Sequence, residues 1–200
     1  MALPEWLNIA ELFLTRRLVE GRGERVALRL ADSQLTYAEL DGLAGRFGNL
    51  LRDLGVRQEE RVILALPDSA EYAAALFGIL KIGAVAVMVN PGLPPDGLAA
   101  MVELARARVA VVPPEAGPPV RHRVVVAPGD GPHLDCADEL EPAPTHRDDP
   151  AIWLFSGGTT GRPKAAVQTH GSFANTTELY AQRAMGWRED DITLSVPKLY

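Results

Sequence analysis

Apolar residues recur along this chain with two different periods, which predict its helices and strands. Spacings of three and four residues, typical of amphipathic helices, occur within 8–20, 36–55, 69–82, 96–107 and 169–185. Short apolar runs, typical of strands, lie at 26–30, 34–37, 61–66, 84–89, 109–112, 123–127, 151–155 and 192–196. Thr36 with Glu39 has the spacing of a capping box, which favours a helix start there.

The order of these elements predicts the fold class. Strands and helices alternate from residue 61 to residue 112, which is the rhythm of βαβ units with right-handed crossovers. The run at 84–89 is almost continuously apolar, as in a strand that is covered on both faces. We therefore expect an α/β fold with a doubly wound, mostly parallel sheet and flanking helices.

Charge and cysteine content narrow the class of partner. The formal net charge is −6 with a pI near 5.3, so the chain lacks the positive charge expected for binding nucleic acid or an anionic membrane. Its single cysteine, Cys136, excludes an internal disulfide and suits a reducing compartment; we assign it no role. Residues 1–10 lack a basic stretch, and the apolar run 79–89 is too short to span a bilayer. These features predict a cytoplasmic protein with no nucleic acid and no membrane partner.

The most informative stretch is Ser156-Gly157-Gly158-Thr159-Thr160-Gly161-Arg162-Pro163-Lys164, which follows the predicted strand 151–155 directly. Glycines allow close backbone approaches, and consecutive N–H groups in such a loop can form a concave site for an anion. Lys164, one of three lysines in the chain, would add a point charge on phosphate oxygens. The alternative is a flexible hairpin turn; the preceding strand, the three hydroxyls and the Pro-Lys ending favour a phosphate loop.

The spacing excludes a Walker A loop, since Arg162 and Pro163 separate Gly161 from Lys164. The stretch resembles the phosphate-binding signature of the adenylate-forming superfamily, which includes acyl-CoA synthetases, luciferases and peptide-synthetase adenylation domains. Gly157 stands where that signature has a hydroxyl residue, and Ala165 stands where it has a glycine.

The resemblance covers nearly all of the chain. The segment 68–112 is similar to the region that precedes the phosphate loop in acyl-CoA synthetases, and Thr169-His170 fits the residues that follow it. Within the superfamily the chain is most similar to benzoate-CoA ligases and other aryl-CoA ligases. That similarity is carried by Trp153-Leu154, Gly161-Arg162-Pro163-Lys164 and Lys198-Leu199-Tyr200.

The resemblance implies an AMP-forming acid-thiol ligase. Such an enzyme activates a carboxylic acid, here an aryl acid, with ATP and Mg²⁺, releases pyrophosphate, and transfers the acyl group from the adenylate to coenzyme A. It assigns the ATP phosphates to Ser156, Gly157, Gly158, Thr159, Thr160, Gly161 and Lys164. It places Lys198 and Tyr200 in the substrate pocket and makes His170 a catalytic candidate, and it assigns no protein ligand to the metal.

Several alternatives stay open from the sequence. His170 could equally be a residue at the start of a helix. Lys198 could be an ordinary surface lysine, and Trp153 could belong to the core. The thiol acceptor is coenzyme A or the pantetheine of a carrier protein, and a homodimer is one option for the assembly. A non-enzymatic, truncated nucleotide-binding module is a different class of function.

The resemblance also predicts a division of the chain. Residues 1–140 would form a first α/β subdomain and 141–150 a proline-bearing linker. Residues 151–200 would carry the phosphate-loop unit and the start of the acyl pocket. The family's later motifs and its C-terminal domain do not occur in these 200 residues, so we expect the chain alone to be inactive.

Overall fold

The computed structural model describes residues 3–31, 33–127, 135–156, 163–195 and 197–200. The strands are β1 Val26–Arg29, β2 Gln34–Thr36, β3 Arg61–Leu64, β4 Val85–Met88, β5 Val109–Val112, β6 His122–Val125, β7 Pro150–Ser156 and β8 Lys164–Thr169. The helices are α1, with a π-helical part Glu11–Thr15 and an α-helical part Arg16–Val19, then α2 Tyr37–Asp53, α3 Ala70–Lys81, α4 Pro95–Ala105 and α5 His170–Thr176. A π-helical segment, Thr177–Ala184, continues α5.

The main sheet has the order β6-β5-β3-β4-β7-β8, and a separate antiparallel hairpin is formed by β1 and β2. The first five strands of the main sheet run parallel, and β8 pairs antiparallel with β7 at the edge. The chain passes from β3 to β4 on one side and then back across β3 to β5. The predicted α/β class with a mostly parallel sheet is confirmed.

Side chains of the central strands alternate between two apolar clusters, one on each face of the sheet. On β3, Val62 and Leu64 belong to the larger cluster, whereas Ile63 belongs to the smaller one. Residues of α2 and α3 cover the first face, and residues of α4 cover the second. Burial on both faces explains why these strands are continuous apolar runs in the sequence.

The two central helices begin at side-chain caps, and the first of these is the cap predicted at Thr36. Thr36 Oγ1 accepts a hydrogen bond from Glu39 N at 3.2 Å, and the Glu39 carboxylate accepts one from Thr36 N at 2.8 Å. Ser69 Oγ accepts from Tyr72 N at the start of α3. These bonds satisfy backbone donors that have no partner within the helix.

Helices α2 and α3 pack closely at glycines. A Cβ atom built on Gly78 would lie 2.7 Å from Ala44 O and 2.7 Å from Phe47 Cβ. Lys81, at the end of α3, is completely buried, and its Nζ lies 2.8 Å from Asp41 Oδ2 on α2. Thr15 Oγ1 donates to the other carboxylate oxygen of Asp41 at 2.7 Å. The interface therefore combines backbone contact with a buried ion pair.

The buried face of α1 differs from the prediction. The apolar spacing indicated Ile9, Leu12, Phe13 and Leu18, but the structure buries Ile9 and Leu14, and Leu12, Phe13 and Leu18 are only partly buried. The cause is the π-helical winding of Glu11–Thr15. Its longer turn brings residues five apart onto one face, so that Leu14 follows Ile9.

The predicted strand at 192–196 was wrong for residues 192–195, which form neither strand nor helix; residue 196 lies outside the described residues. Ile192 and Leu194 are 75% and 88% exposed. A strand forms only where a neighbouring strand pairs with its backbone groups, and 192–195 pair with none of the described strands.

The segment that connects β6 to β7 lies against the N-terminal residues. Leu7 N donates to Thr145 O at 2.9 Å, and Thr145 Oγ1 donates back to Leu7 O at 2.8 Å. Asn8 Nδ2 donates to Leu80 O and Ala143 O, which fastens both segments to the end of α3. In the described part of the chain, no helix has the length and apolar character needed to cross a membrane.

Candidate active site

The carboxyl ends of five parallel strands meet at one edge of the main sheet. In doubly wound sheets this edge is where ligands bind, because the connecting loops and helix starts leave a crevice there. Strand β7 ends at this edge with Ser156, which pairs in register with Lys164, the first residue of β8. The predicted phosphate loop therefore begins and ends at the edge expected for a ligand.

Residues 157–162 of that loop lie outside the described residues. The assignments of Gly157, Gly158, Thr159, Thr160 and Gly161 to phosphate binding therefore stay predictions. The side chain of Lys164 is exposed and forms no ion pair with any described residue. Its position leaves the ammonium group accessible to a ligand.

The last residues of the chain reach the same edge. Asp68 follows β3 by four residues, and its Oδ1 accepts a hydrogen bond from Leu199 N at 3.2 Å. Lys198 Nζ lies 3.6 Å from Asp68 Oδ2. Tyr72 Oη, at the start of α3, donates to Leu199 O at 3.1 Å. These contacts hold both peptide groups of Leu199 against the start of α3.

Tyr200 is partly buried and packs against the larger apolar cluster, whereas most of the Lys198 side chain is exposed. Both predicted pocket residues thus lie at the carboxyl edge. Their contact with an acid substrate stays a prediction. The ion pair with Asp68 partly neutralises Lys198, which favours a role for Tyr200 as the pocket wall.

Burial raises the pKa of the Tyr72 phenol well above its ordinary value, and the nearby Asp68 and Tyr200 raise it further. The phenol therefore stays protonated and remains a hydrogen-bond donor to Leu199. The sequence did not predict that Asp68 and Tyr72 hold the last residues. Both residues contact Leu199, which lies more than 120 residues further along the chain, and no local sequence pattern encodes such a contact.

His170 lies inside the fold. It is fully buried at the start of α5, and its Nδ1 accepts a hydrogen bond from Ile9 N at 3.2 Å. The ring proton is therefore on Nε2, which has no hydrogen-bond partner among the described residues. Burial lowers the pKa of His170 to about 4, against a smaller opposing effect of Asp149. A buried, neutral imidazole that holds the N-terminal segment favours the helix-start interpretation over a catalytic base.

Two further observations concern the site. Trp153 is partly buried and packs against the smaller apolar cluster, in agreement with the core alternative. The part of the chain that the structure describes contains no cluster of three or more His, Cys, Asp or Glu side chains that could hold a metal ion.

Curated proteins similar to this chain include two aryl-CoA ligases. The 4-hydroxybenzoate–CoA/benzoate–CoA ligase of Rhodopseudomonas palustris is 35% identical over 210 residues, which cover 96% of this chain and 39% of the relative. The benzoate–CoA ligase of Thauera aromatica is 34% identical, over 99% of this chain and 41% of the relative. The chain thus spans about two fifths of the length of the curated relatives that it matches.

Among solved structures, the anthranilate CoA ligase AuaEII in complex with anthranoyl-AMP superimposes with a TM-score of 0.84 and 33% sequence identity. The match covers 94% of this chain and 39% of that structure. The family model described as "AMP-binding enzyme" matches residues 15–200, which include the β7–β8 unit and the residues held by Asp68 and Tyr72. On this evidence the chain belongs to the AMP-binding enzyme family.

Proposed function

We propose that this chain is part of an AMP-forming aryl-CoA ligase, in which it binds the phosphates of ATP and one side of the acid substrate. The carboxylate oxygen of the acid would attack the α-phosphorus of ATP and expel pyrophosphate. The acyl-adenylate would then transfer its acyl group to the thiol of coenzyme A, with release of AMP.

The observation that carries the proposal is the register of β7 with β8. Ser156 pairs with Lys164, so the Gly-rich loop starts and ends at the carboxyl edge of a parallel sheet. Charge builds on the leaving phosphates during adenylation, and fixed donors at that position lower the barrier more than mobile water does. Lys164, exposed at this edge, supplies a positive charge for those oxygens, and Mg²⁺ would neutralise part of their charge.

Two observations support a preference of the enzyme for aromatic acids. Tyr200 is partly buried, next to Tyr72, at the edge where the acid would lie. The similar proteins act on benzoate or hydroxybenzoate according to their names, and AuaEII was solved with anthranoyl-AMP. We therefore propose benzoate and its hydroxy or amino derivatives as substrates, in the cytoplasm, with coenzyme A as acceptor.

The test is ATP–pyrophosphate exchange by the protein that carries this sequence, with a panel of acids. Benzoate-type acids should support exchange better than acetate or a C12–C16 fatty acid. Lys164→Ala should lower the adenylation rate about a hundredfold, since loss of one charged contact in a transition state costs about 3 kcal/mol. An unchanged rate would show that Lys164 does not bind phosphate during the reaction, and a fatty-acid preference would overturn the aryl assignment.

The matched control is Arg29→Gln, because Arg29 is an exposed cation on the separate β1–β2 hairpin. Its exchange rate should equal that of the unaltered protein.

The 200 residues expressed alone should give no exchange, because adenylation requires several groups in one geometry and the similar ligases are about two and a half times as long. Exchange by the 200 residues at the full rate would show that the site is more complete than proposed.

The acceptor separates the main proposal from its alternative. Thioester formation with free coenzyme A supports a CoA ligase, whereas acylation of a carrier-protein pantetheine alone supports an adenylation enzyme. Binding of ATP without exchange for any acid would favour a non-enzymatic nucleotide-binding module.

The division into residues 1–140, a linker at 141–150 and residues 151–200 also stays a proposal. The sheet itself is continuous across it, since β7 pairs with β4.

A further inference from the structure

A cavity lies at the amino edge of the main sheet, opposite the candidate active site. It has a volume of about 820 Å³ and contains the first residues of three parallel strands, Arg61 of β3, Val109 of β5 and His122 of β6. Five arginines line it, namely Arg57, Arg61, Arg106, Arg108 and Arg121, against the two carboxylates of Asp53 and Glu60. The local charge is therefore positive on a chain whose net charge is −6.

Most of these guanidinium groups have N–H donors that form no hydrogen bond with the described residues. The side chains of Arg57, Arg106 and Arg121 form no hydrogen bond or ion pair with the described residues, and Arg108 Nη1 lies 3.9 Å from Glu60 Oε1. Like charges around a concave surface repel one another and raise the free energy of the folded protein. An anion that binds there removes this cost. Arginine, with its planar set of N–H donors, is well suited to phosphate.

Arg61 is held in place. Its Nε donates to Ala105 O at 2.9 Å, and its Nη1 donates to Glu59 O at 3.2 Å. These bonds fix the plane of the guanidinium and leave Nη2 without a partner among the described residues. A pre-oriented cation loses little conformational entropy when it binds a ligand.

A second cavity, of about 490 Å³, shares Arg61 and Arg106 with the first. Its other lining residues are largely apolar and include Val85, Leu104, Trp153 and Val167. Leu104 and Val167 are 46% and 51% exposed, and the buried Nε1 of Trp153 has no hydrogen-bond partner in the described part of the chain. The two cavities together thus offer a cationic half and an apolar half on either side of Arg61.

The backbone around this double cavity is unusual. Among the described non-glycine residues, only Glu59 and Arg106 have positive φ, at +62° and +51°, and both line the smaller cavity. Such conformations cost free energy and cluster at ligand sites, where the surrounding structure maintains them. Arg106 is the C-cap residue of α4, and it lines both cavities.

We propose that the amino-edge double cavity binds a small phosphate-bearing ligand with an aromatic part, such as a nucleotide. Its phosphates contact the arginines of the larger cavity, and its ring contacts the apolar wall that contains Trp153. This site is separate from the phosphate loop and independent of the function proposed above.

The test uses Trp153 as reporter in the protein with Trp6→Phe and Trp187→Phe, and ADP as the probe. ADP should change the fluorescence of Trp153 with saturation, and pyrophosphate should bind at least tenfold more weakly because it lacks the ring. Arg106→Gly, which also relieves the positive φ, combined with Arg121→Gln should weaken ADP binding at least tenfold. Raising NaCl from about 50 to 300 mM should weaken it as well.

The controls separate this site from the carboxyl edge. Arg29→Gln with Arg188→Gln removes two exposed cations elsewhere and should leave the Trp153 response unchanged, and so should Lys164→Ala. The proposal is overturned if Lys164→Ala abolishes the response, if the paired arginine variant leaves it intact, or if about 10 mM ADP gives none. Equal binding of pyrophosphate and ADP would overturn the aromatic part, and tighter binding of polyglutamate than of ADP would indicate a protein-docking surface instead.

Discussion

Lys81 Nζ lies 2.8 Å from Asp41 Oδ2, and this ion pair joins α3 to α2 inside the core. The Lys81 side chain is completely buried, and that of Asp41 is 12% exposed. Thr15 donates a further hydrogen bond to the same carboxylate. Because charges lose their hydration when they are buried, each partner of such a pair depends on the other.

We therefore expect Lys81→Met to lower the free energy of unfolding by about 3–5 kcal/mol, since it leaves the Asp41 carboxylate buried without its cation. The double variant Lys81→Met with Asp41→Leu should be less destabilised than Lys81→Met alone. Urea unfolding at pH 7 measures both. A cost below about 1 kcal/mol for Lys81→Met would contradict the dependence of the two charges on each other.

Gly78 should tolerate no side chain. A Cβ atom would lie 2.7 Å from Ala44 O, so that Gly78→Ala must separate α3 from α2 and should cost about 1–3 kcal/mol. The control is Gly97→Ala in α4, where the nearest atoms are 3.6 Å from the added Cβ. Gly97→Ala should be neutral or stabilising by up to about 1 kcal/mol, through higher helix propensity. Thermal unfolding should show a lower Tm for Gly78→Ala and an unchanged or higher Tm for Gly97→Ala.

His170 should make stability depend on pH. Its pKa is about 4 in the folded protein and about 6.5 in the unfolded chain, so the unfolded chain binds more protons between these values. The free energy of unfolding should therefore decrease by about 3 kcal/mol as the pH falls from 6.5 to 4. Above pH 6.5 the contribution of this residue levels off, and it is constant once the imidazole is deprotonated in the unfolded chain as well.

The measurement is urea unfolding at several pH values for the unaltered protein and for His170→Gln. The variant should be less stable at pH 7 but should lose the part of the slope that arises from His170. His122→Gln, at a partly exposed position, serves as the control and should keep the slope. An identical slope in His170→Gln would contradict the prediction.

Tyr72→Phe should affect acid binding, if the proposed function is correct. It removes the hydrogen bond to Leu199 O and so loosens the residues that place Tyr200. Loss of one such bond, about 1 kcal/mol, should raise KM for the aryl acid roughly fivefold and leave KM for ATP unchanged. Tyr180→Phe, at a 59% exposed position, is the control. Equal changes in both KM values would indicate general destabilisation instead.

Gly157→Ser tests the departure of the loop from its family signature. If a hydroxyl at this position contacts phosphate, the variant should tighten ATP binding or accelerate adenylation by the equivalent of one hydrogen bond, on the order of 1 kcal/mol. Equilibrium binding of ATP and the exchange rate together measure this effect. A large loss would show that the backbone at position 157 requires glycine.

Local patterns predicted most helices and strands. The capping box at Thr36 and the apolar runs of β3, β4 and β5 are encoded within a few residues, and each produced the expected element. The run at 192–196 has the same kind of pattern, yet residues 192–195 form no strand, because strand formation also requires a partner that a local pattern does not specify.

The sequence by itself determined the α/β class, the capping box at Thr36, and the strand that leads into the Gly-rich stretch. These properties depend on neighbouring residues, whose spacing sets backbone conformation and the face that is buried. Only the tertiary structure decided that Lys81 pairs with Asp41, that His170 is buried against Ile9, and that Asp68 and Tyr72 hold Leu199. Those contacts join residues from 40 to 161 positions apart, and they form because sheet order and helix packing bring distant segments together.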